Sequence, residues 1–143
     1  MAKIGVFFAE GFEEIEALTV VDLCRRAGIE VVMVSVDDRE TVTGSHGIRV
    51  EMDARLSAVD FGGFSMLVLP GGMPGTKNLE QCAPLMERLD SFYKDGKWVA
   101  AVCAAPSIFG HRGYLEGKRA VAYPTFEDQL RGADVVQETA VTD

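Results

Sequence analysis

Short continuous apolar runs alternate along this chain with stretches whose apolar residues recur at helical spacing, and that alternation limits the fold more than any other feature. Residues 4–8 (Ile-Gly-Val-Phe-Phe) form a run expected of a strand buried on both faces. After Gly11, residues Ile15, Leu18, Val21 and Cys24 recur as the apolar stripe of a helix. Glu13 and Glu14 suit its positive end, Arg25 and Arg26 its last turn, and Gly28 its stop. Residues 30–36 read as a second strand, and residues 41–52 as a small hairpin or arm that turns at Gly44-Ser45-His46-Gly47. A third buried strand, 65–69, runs into Pro70-Gly71-Gly72-Met73-Pro74-Gly75. Pro84 opens a helix carrying Leu85, Leu89 and Phe92 that ends at Gly96. Residues 98–102 form the next strand, Cys103 follows at once, and Pro106 lies in the first turn of a helix ending near Gly113. Beyond it, 119–122 reads as an edge strand, Thr125 as the cap of a short helix with Asp128 completing a capping box, and 133–141 as one or two further strands.

Strand, helix, strand, hairpin, strand, helix, strand, helix is the order of an open α/β sandwich with a mainly parallel sheet, helices on both faces, and a ligand site at the carboxyl ends of the strands. With 143 residues the chain makes one domain. The net charge is −8 and no run of Lys or Arg occurs, which argues against a nucleic-acid partner. The apolar runs fall far short of the roughly 20 residues a membrane span needs, so no membrane partner is expected. No signal-peptide anatomy opens the sequence, and three cysteines at wide spacing (Cys24, Cys82, Cys103) do not make a disulfide framework. The chain reads as a reduced, cytoplasmic domain. Its two histidines, His46 and His111, are too few for a His-rich metal site, and neither a metal nor a cofactor is expected.

Three unusual segments fall at strand ends: 9–16, 70–75 and 103–106. In a parallel sheet they converge. Cys103, between a strand and a helix start with Ala101, Ala104 and Ala105 around it, is either a buried structural cysteine or a nucleophile lifted out of the sheet by a strained turn. In the second case the helix start favours its thiolate. Of Glu13, Glu14 and Glu16, successive positions about 100° apart cannot all face water. Glu16 is therefore either a solvated charge or a carboxyl turned toward the strand ends, where burial keeps it protonated and able to hold a cysteine sulfur. Gly71 and Gly72 are either a tight connection or a backbone that presents amides, which together with the amide of Ala104 would form an oxyanion hole. Neither a phosphate loop nor a dinucleotide fingerprint is present. Cys24 reads as core and Cys82 as a surface or helix-start thiol. A Cys–His pair requires His46 or His111 to fold back.

The segments Glu-Gly-Phe-Glu-Glu-Ile-Glu-Ala (10–17), Arg-Arg-Ala-Gly-Ile (25–29), Val-Leu-Pro-Gly-Gly (68–72) and Ala-Val-Cys-Ala-Ala-Pro (101–106), in this order, are specific. Through them the chain resembles the ThiJ/PfpI superfamily, in its DJ-one branch, from Lys3 to its last residue. The resemblance implies a flavodoxin-like three-layer sandwich of the class I glutamine amidotransferase type, and a homodimer. It implies a reactive, oxidation-prone Cys103 with Glu16 as the protonated carboxyl beside it, Glu13 as a pocket residue, and the amides of Gly72 and Ala104 around the sulfur. It places His46 on an arm that contributes to the dimer interface and the pocket rim. The activities it implies are deglycation of methylglyoxal adducts, cofactor-independent glyoxalase chemistry and protection against oxidative stress. Redox sensing, with Cys103 oxidised to sulfinate, or a chaperone-like role is the alternative. A cysteine peptidase is disfavoured, because the proteases of this fold follow the cysteine with histidine where this chain has Ala104. Some members also carry a histidine where this chain has Tyr123. Family members continue with a glycine-rich loop, a strand and a long helix, so the 143-residue domain is expected to be incomplete at its C-terminal side.

Overall fold

A computed structural model describes residues 2–143. In chain order its elements are strand β1 (Lys3–Phe8), helix α1 (Glu14–Arg26), strands β2 (Glu30–Ser35), β3 (Thr41–Thr43), β4 (Arg49–Glu51) and β5 (Ala54–Arg55), a 3-10 turn (Phe61–Gly63), strand β6 (Met66–Leu69), helices α2 (Gly75–Glu80) and α3 (Ala83–Lys94), strand β7 (Trp98–Ala101), helix α4 (Pro106–His111), strand β8 (Arg119–Ala120), a 3-10 turn (Pro124–Gln129) and strand β9 (Asp134–Val135). Five strands form one sheet in the order β5-β2-β1-β6-β7, and every pairing in it is parallel. This is the α/β sandwich with a parallel sheet that the alternating pattern predicts. Strands β3 and β4 make the separate antiparallel hairpin, and β8 and β9 a small parallel pair.

Successive residues of a strand point to opposite faces, and the sheet uses this to separate two cores. Val6 and Phe8 of β1 and Val68 of β6 pack with Ala17 and Val21 of α1. Phe7 of β1 and Leu67 and Leu69 of β6 pack on the other side with Leu79 of α2, Leu85 and Leu89 of α3, and Ile108 of α4. Each fully buried Leu or Phe removes enough apolar surface to contribute about 1.5–3 kcal/mol. The three layers are therefore α1, the sheet, and the group α2–α3–α4. No helix among the described residues is long and apolar enough to cross a membrane.

Four readings of the pattern need correction. The inward face of α1 carries Glu14, Ala17 and Val21, while Ile15 stands 74% exposed. The stripe is rotated because Glu13 pins the start of the helix to the neighbouring loop, its N–H donating to the Gly71 carbonyl at 2.9 Å. Helix α2 is one the sequence reading passed over, since Gly75 and Asn78 inside it are poor helix formers. Thr125 is not a cap: Tyr123 precedes the 3-10 turn and no side chain caps it. Within 133–141 only Asp134–Val135 pairs as a strand.

Candidate active site

The carboxyl ends of β1, β6 and β7 meet, as parallel strands must. The loop after β1 is tied to the loop after β6 by the Glu13 N–H on the Gly71 carbonyl (2.9 Å) and the Gly75 N–H on the Gly11 carbonyl (3.1 Å). The N–H of Val102, just past β7, donates to the Leu69 carbonyl at 3.2 Å. The segments 9–16, 70–75 and 103–106 thus share one crevice.

Cys103 sits at the turn between β7 and α4 with φ +60°, one of two non-glycine residues with positive φ among those described. A side chain in this left-handed region costs roughly 1–2 kcal/mol. The strain turns the chain sharply and leaves the thiol half-buried. The Glu16 carboxyl, from the first turn of α1, faces Cys103 beside Gly71, where a Cβ would meet both Glu16 Oε1 and the Cys103 Cβ. Its Oε1 accepts from the Gly71 N–H at 3.1 Å, which fixes the carboxyl over the loop. The Glu16 side chain is thus turned toward the strand ends.

Burial pushes both members of this pair up. Glu16 is raised by desolvation first and by the nearby Glu13 charge, against the hydrogen bonds from Cys103 and Gly71. The Cys103 thiol is pushed up to about 11 by burial, by the Glu16 charge and by its bond to Glu16, while the Ala104 N–H pulls the other way. The helix start alone does not favour the thiolate, which corrects the sequence expectation. Helix α4 is only six residues long and begins three residues after the sulfur, so its dipole is weak beside a carboxylate in contact. The charge on each acid acts on the other.

The three glutamates of the first turn divide the work. Glu13 is the helix cap itself: its Oε2 accepts from the Glu16 N–H at 2.7 Å. Glu14, which the sequence places only at the helix's positive end, is buried at 4% exposure. Its carboxylate accepts from the backbone N–H of His46 (2.8 Å) and Ile48 (3.3 Å), from Ser45 Oγ (3.3 Å) and lies 3.0 Å from His46 Nδ1. These bonds hold its carboxyl at about 2, against the cost of burial. Glu14 therefore clamps the β3–β4 turn onto α1, and His46 lies on that turn, its ring mostly exposed, with Nδ1 3.8 Å from Glu13 Oε1. Glu13, Glu14 and His46 bring ligand atoms within 4.8 Å of one another. Because both Glu14 oxygens are occupied by N–H and O–H donors, the group acts as a clamp.

The other candidates go elsewhere. The Gly71 N–H is engaged by Glu16 and is not free for an oxyanion. The N–H of Gly72, a residue at φ +95°, meets no protein acceptor among the described residues. His111 bonds Glu80 (2.5 Å) and Gln129 (3.0 Å), tying α4 to α2 and to the 3-10 turn. Neither histidine pairs with Cys103. Cys24 packs at the edge of the α1 core, and Cys82, at the start of α3, is half-buried against the other core. A groove of about 680 Å³ runs along β7 past Trp98 and Tyr114, and neither Cys103 nor Glu16 lines it. Side-chain chemistry, not cavity size, locates this site. The residue that sequence reasoning missed is Glu14, because the periodicity of α1 puts Ile15 and not Glu14 on the inward face.

Residues 2–143 match the model of the DJ-1/PfpI family. Protein DJ-1 homolog B of Arabidopsis thaliana is 37% identical over 140 residues, 97% of this chain. The chain spans about a third of that protein's length, 32%. Deglycase TK1284 of Thermococcus kodakarensis is 32% identical over 144 residues, which cover 99% of this chain and 85% of that one. Among solved structures, oxidized DJ-1 of Toxoplasma gondii superposes with a TM-score of 0.85 at 40% identity, covering 92% of this chain and 74% of that chain.

Proposed function

This chain belongs to the DJ-1/PfpI family, and on that premise we propose that it is a cysteine-dependent enzyme of the deglycase or glyoxalase type acting on reactive carbonyls such as methylglyoxal adducts. The observation that carries the reading is the Glu16 carboxyl seated beside Cys103 at a strained strand-to-helix turn. Archaeal relatives named deglycases support the class of activity.

In the proposed first step the thiol proton passes to Glu16 as the sulfur attacks the carbonyl carbon. The carbon–sulfur bond forms and the carbonyl π pair moves onto oxygen. Glu16 then returns its proton to that oxygen, giving a neutral hemithioacetal, so Glu16 serves as base and then as acid. The N–H groups of Gly72 and Ala104 offer hydrogen bonds to the oxygen while it is charged. Cys103→Ser is expected to abolish methylglyoxal consumption and Glu16→Gln to cut it by roughly 100-fold or more. Full activity in the serine variant would eliminate the mechanism.

A second reading, redox sensing, draws on the half-buried Cys103 and on the relative whose structure is of an oxidized protein. Two equivalents of peroxide would take the thiol to the sulfinate, and Glu16 would hydrogen-bond the new oxygen. Intact mass after mild peroxide, with two added oxygens mapped to Cys103, supports it. Modification of Cys24 or Cys82 instead removes it. The proposed homodimer would use the exposed Ile15 and Ile48 beside the clamped turn, and sedimentation of the purified chain tests it.

A further inference from the structure

We propose that Tyr123, which lies outside the three converging segments, is a positioning residue of the Cys103 site: its backbone N–H orients the Cys103–Ala104 peptide, and with it the Ala104 N–H beside the sulfur. The inference rests on the reading of Cys103 as the reactive residue and names what aims the donor next to it.

The start of α4 has one donor to spare. The Ala105 N–H is spent on the Val102 carbonyl at 3.0 Å, Pro106 has no N–H, and the Ser107 N–H is spent on the Ala104 carbonyl at 3.2 Å. The Ala104 N–H meets no backbone acceptor among the described residues. Ala104 is buried at 2% exposure, and its N–H draws the Cys103 thiol down against the burial and the charges that push it up. Whatever a helix start contributes to this sulfur therefore passes through one N–H, and the direction of that N–H matters.

That direction is set by the plane of the Cys103–Ala104 peptide. The ends of the turn are closed, by the Val102 N–H on the Leu69 carbonyl at 3.2 Å and by the Ala105 N–H on the Val102 carbonyl. A turn closed at its ends still leaves its central peptide two orientations, which belong to different turn types. Here φ is +60° at Cys103, and Ala104 is not among the residues with positive φ, the combination of a II′ turn. The Cys103 carbonyl accepts from the Tyr123 N–H at 2.8 Å. In a planar trans peptide the C=O and the N–H point in opposite directions, so a bond that fixes the one aims the other. Tyr123 is itself anchored. Its carbonyl accepts from the Phe126 N–H at 2.8 Å, and the Ala120 carbonyl before it accepts from the Val136 N–H at 3.0 Å. The segment after β8 thus reaches back to the site and holds the strained turn in the form that presents the Ala104 N–H.

The backbone of Tyr123 allows a direct test. Its φ of −58° and ψ of 137° are angles that proline adopts and that a residue preceding Pro124 needs. Tyr123→Pro therefore deletes the N–H with the backbone path kept, and it is compared with Tyr123→Ala, which lacks the ring and keeps the N–H. A second pair is the unaltered protein and one with the α-hydroxy analogue of tyrosine at the same position, which keeps the ring and has an ester oxygen in place of the N–H. This pair decides the matter if the proline variant does not fold.

The measurements, on the full chain, are the second-order rate of Cys103 alkylation by iodoacetamide at pH 8, with the modified residue read by peptide mass, and kcat and KM for methylglyoxal. Within each pair the protein without the N–H is expected to be alkylated roughly threefold to tenfold more slowly. Its kcat should fall roughly tenfold or more with KM held, because the Ala104 N–H acts on an oxygen that is charged only as the reaction proceeds. General loosening of the crevice would raise KM as well. Equal alkylation rates within the pairs overturn the inference and leave the proposed function standing, as does a fall in rate that follows loss of the ring and not loss of the N–H. The expected order of alkylation without methylglyoxal consumption removes the proposed reaction and keeps the inference. A Cys103 that resists alkylation in every one of these proteins overturns both.

Discussion

Gly71 leaves no room for a side chain because Glu16 fills it: a Cβ built there would stand 2.5 Å from Glu16 Oε1, 2.8 Å from the Cys103 Cβ and 3.0 Å from the Val102 carbonyl oxygen. The glycine at the end of β6 is thus the seat of the carboxyl that faces the sulfur. Gly71→Ala must move something, and the free end of the Glu16 side chain is the softest of the three neighbours. The variant is expected to fold with a loss of about 1–3 kcal/mol and to lose the Glu16–Cys103 contact. Iodoacetamide kinetics at Cys103 should then resemble those of Glu16→Gln. Unaltered kinetics would show that the contact tolerates the displacement.

Glu16 is held where its charge is unwelcome, so removing the charge should stabilise the fold. Its carboxyl is raised above the ordinary 4.5, chiefly by burial. A carboxyl raised in the folded state adds nothing below its unfolded value and opposes folding as pH climbs above it. Glu16→Gln should therefore melt about 2–5 °C higher than the unaltered protein at pH 7.5, with the gap closing near pH 4. Calorimetry at the two pH values reads this directly. An equal or lower melting temperature at pH 7.5 would mean that the hydrogen bonds to Gly71 and Cys103 outweigh the cost of burying the charge.

Glu14 has the opposite sign. Its folded value, about 2, lies below the ordinary 4.5. The stability it contributes is complete above that ordinary value and disappears as pH falls from there toward 2. Glu14→Ala leaves the N–H groups of His46 and Ile48 without their acceptor and should cost about 2–4 kcal/mol at neutral pH. In urea titrations the difference between the two proteins should shrink as pH is lowered from 6 to 3. A difference that stays constant would assign the cost to packing and not to the carboxylate.

The β-α alternation made the sheet and most helices legible, because 4–8, 66–69 and 98–101 are short apolar runs whose periodicity has one reading. The site was legible as three converging segments for the same reason. What periodicity does not encode is which way α1 is turned. That rotation is decided by two hydrogen bonds, from Glu13 N–H to Gly71 and from His46 N–H to Glu14, between residues at least 32 positions apart. So the sequence left Glu16 with two readings and placed Glu14 only at the positive end of the helix. Charge on Cys103 was misjudged because a helix start is visible in sequence, whereas a carboxylate in contact across the sheet ends is visible only in space.

Backbone strain at Cys103 gives one more separable quantity. At φ +60° any L side chain meets the following carbonyl, and glycine does not. Cys103→Ala removes the thiol and keeps the strain, whereas Cys103→Gly removes both. Both variants should be inert to iodoacetamide at this position. The glycine variant should nevertheless exceed the alanine variant in stability by about 1 kcal/mol, read as the difference in urea midpoint at equal slope. If alanine proves the more stable of the two, the turn has relaxed out of the left-handed region, and the angle that lifts the sulfur toward Glu16 is set by the cysteine itself, through its bonds to Glu16 and Ala104, and not by the surrounding loops.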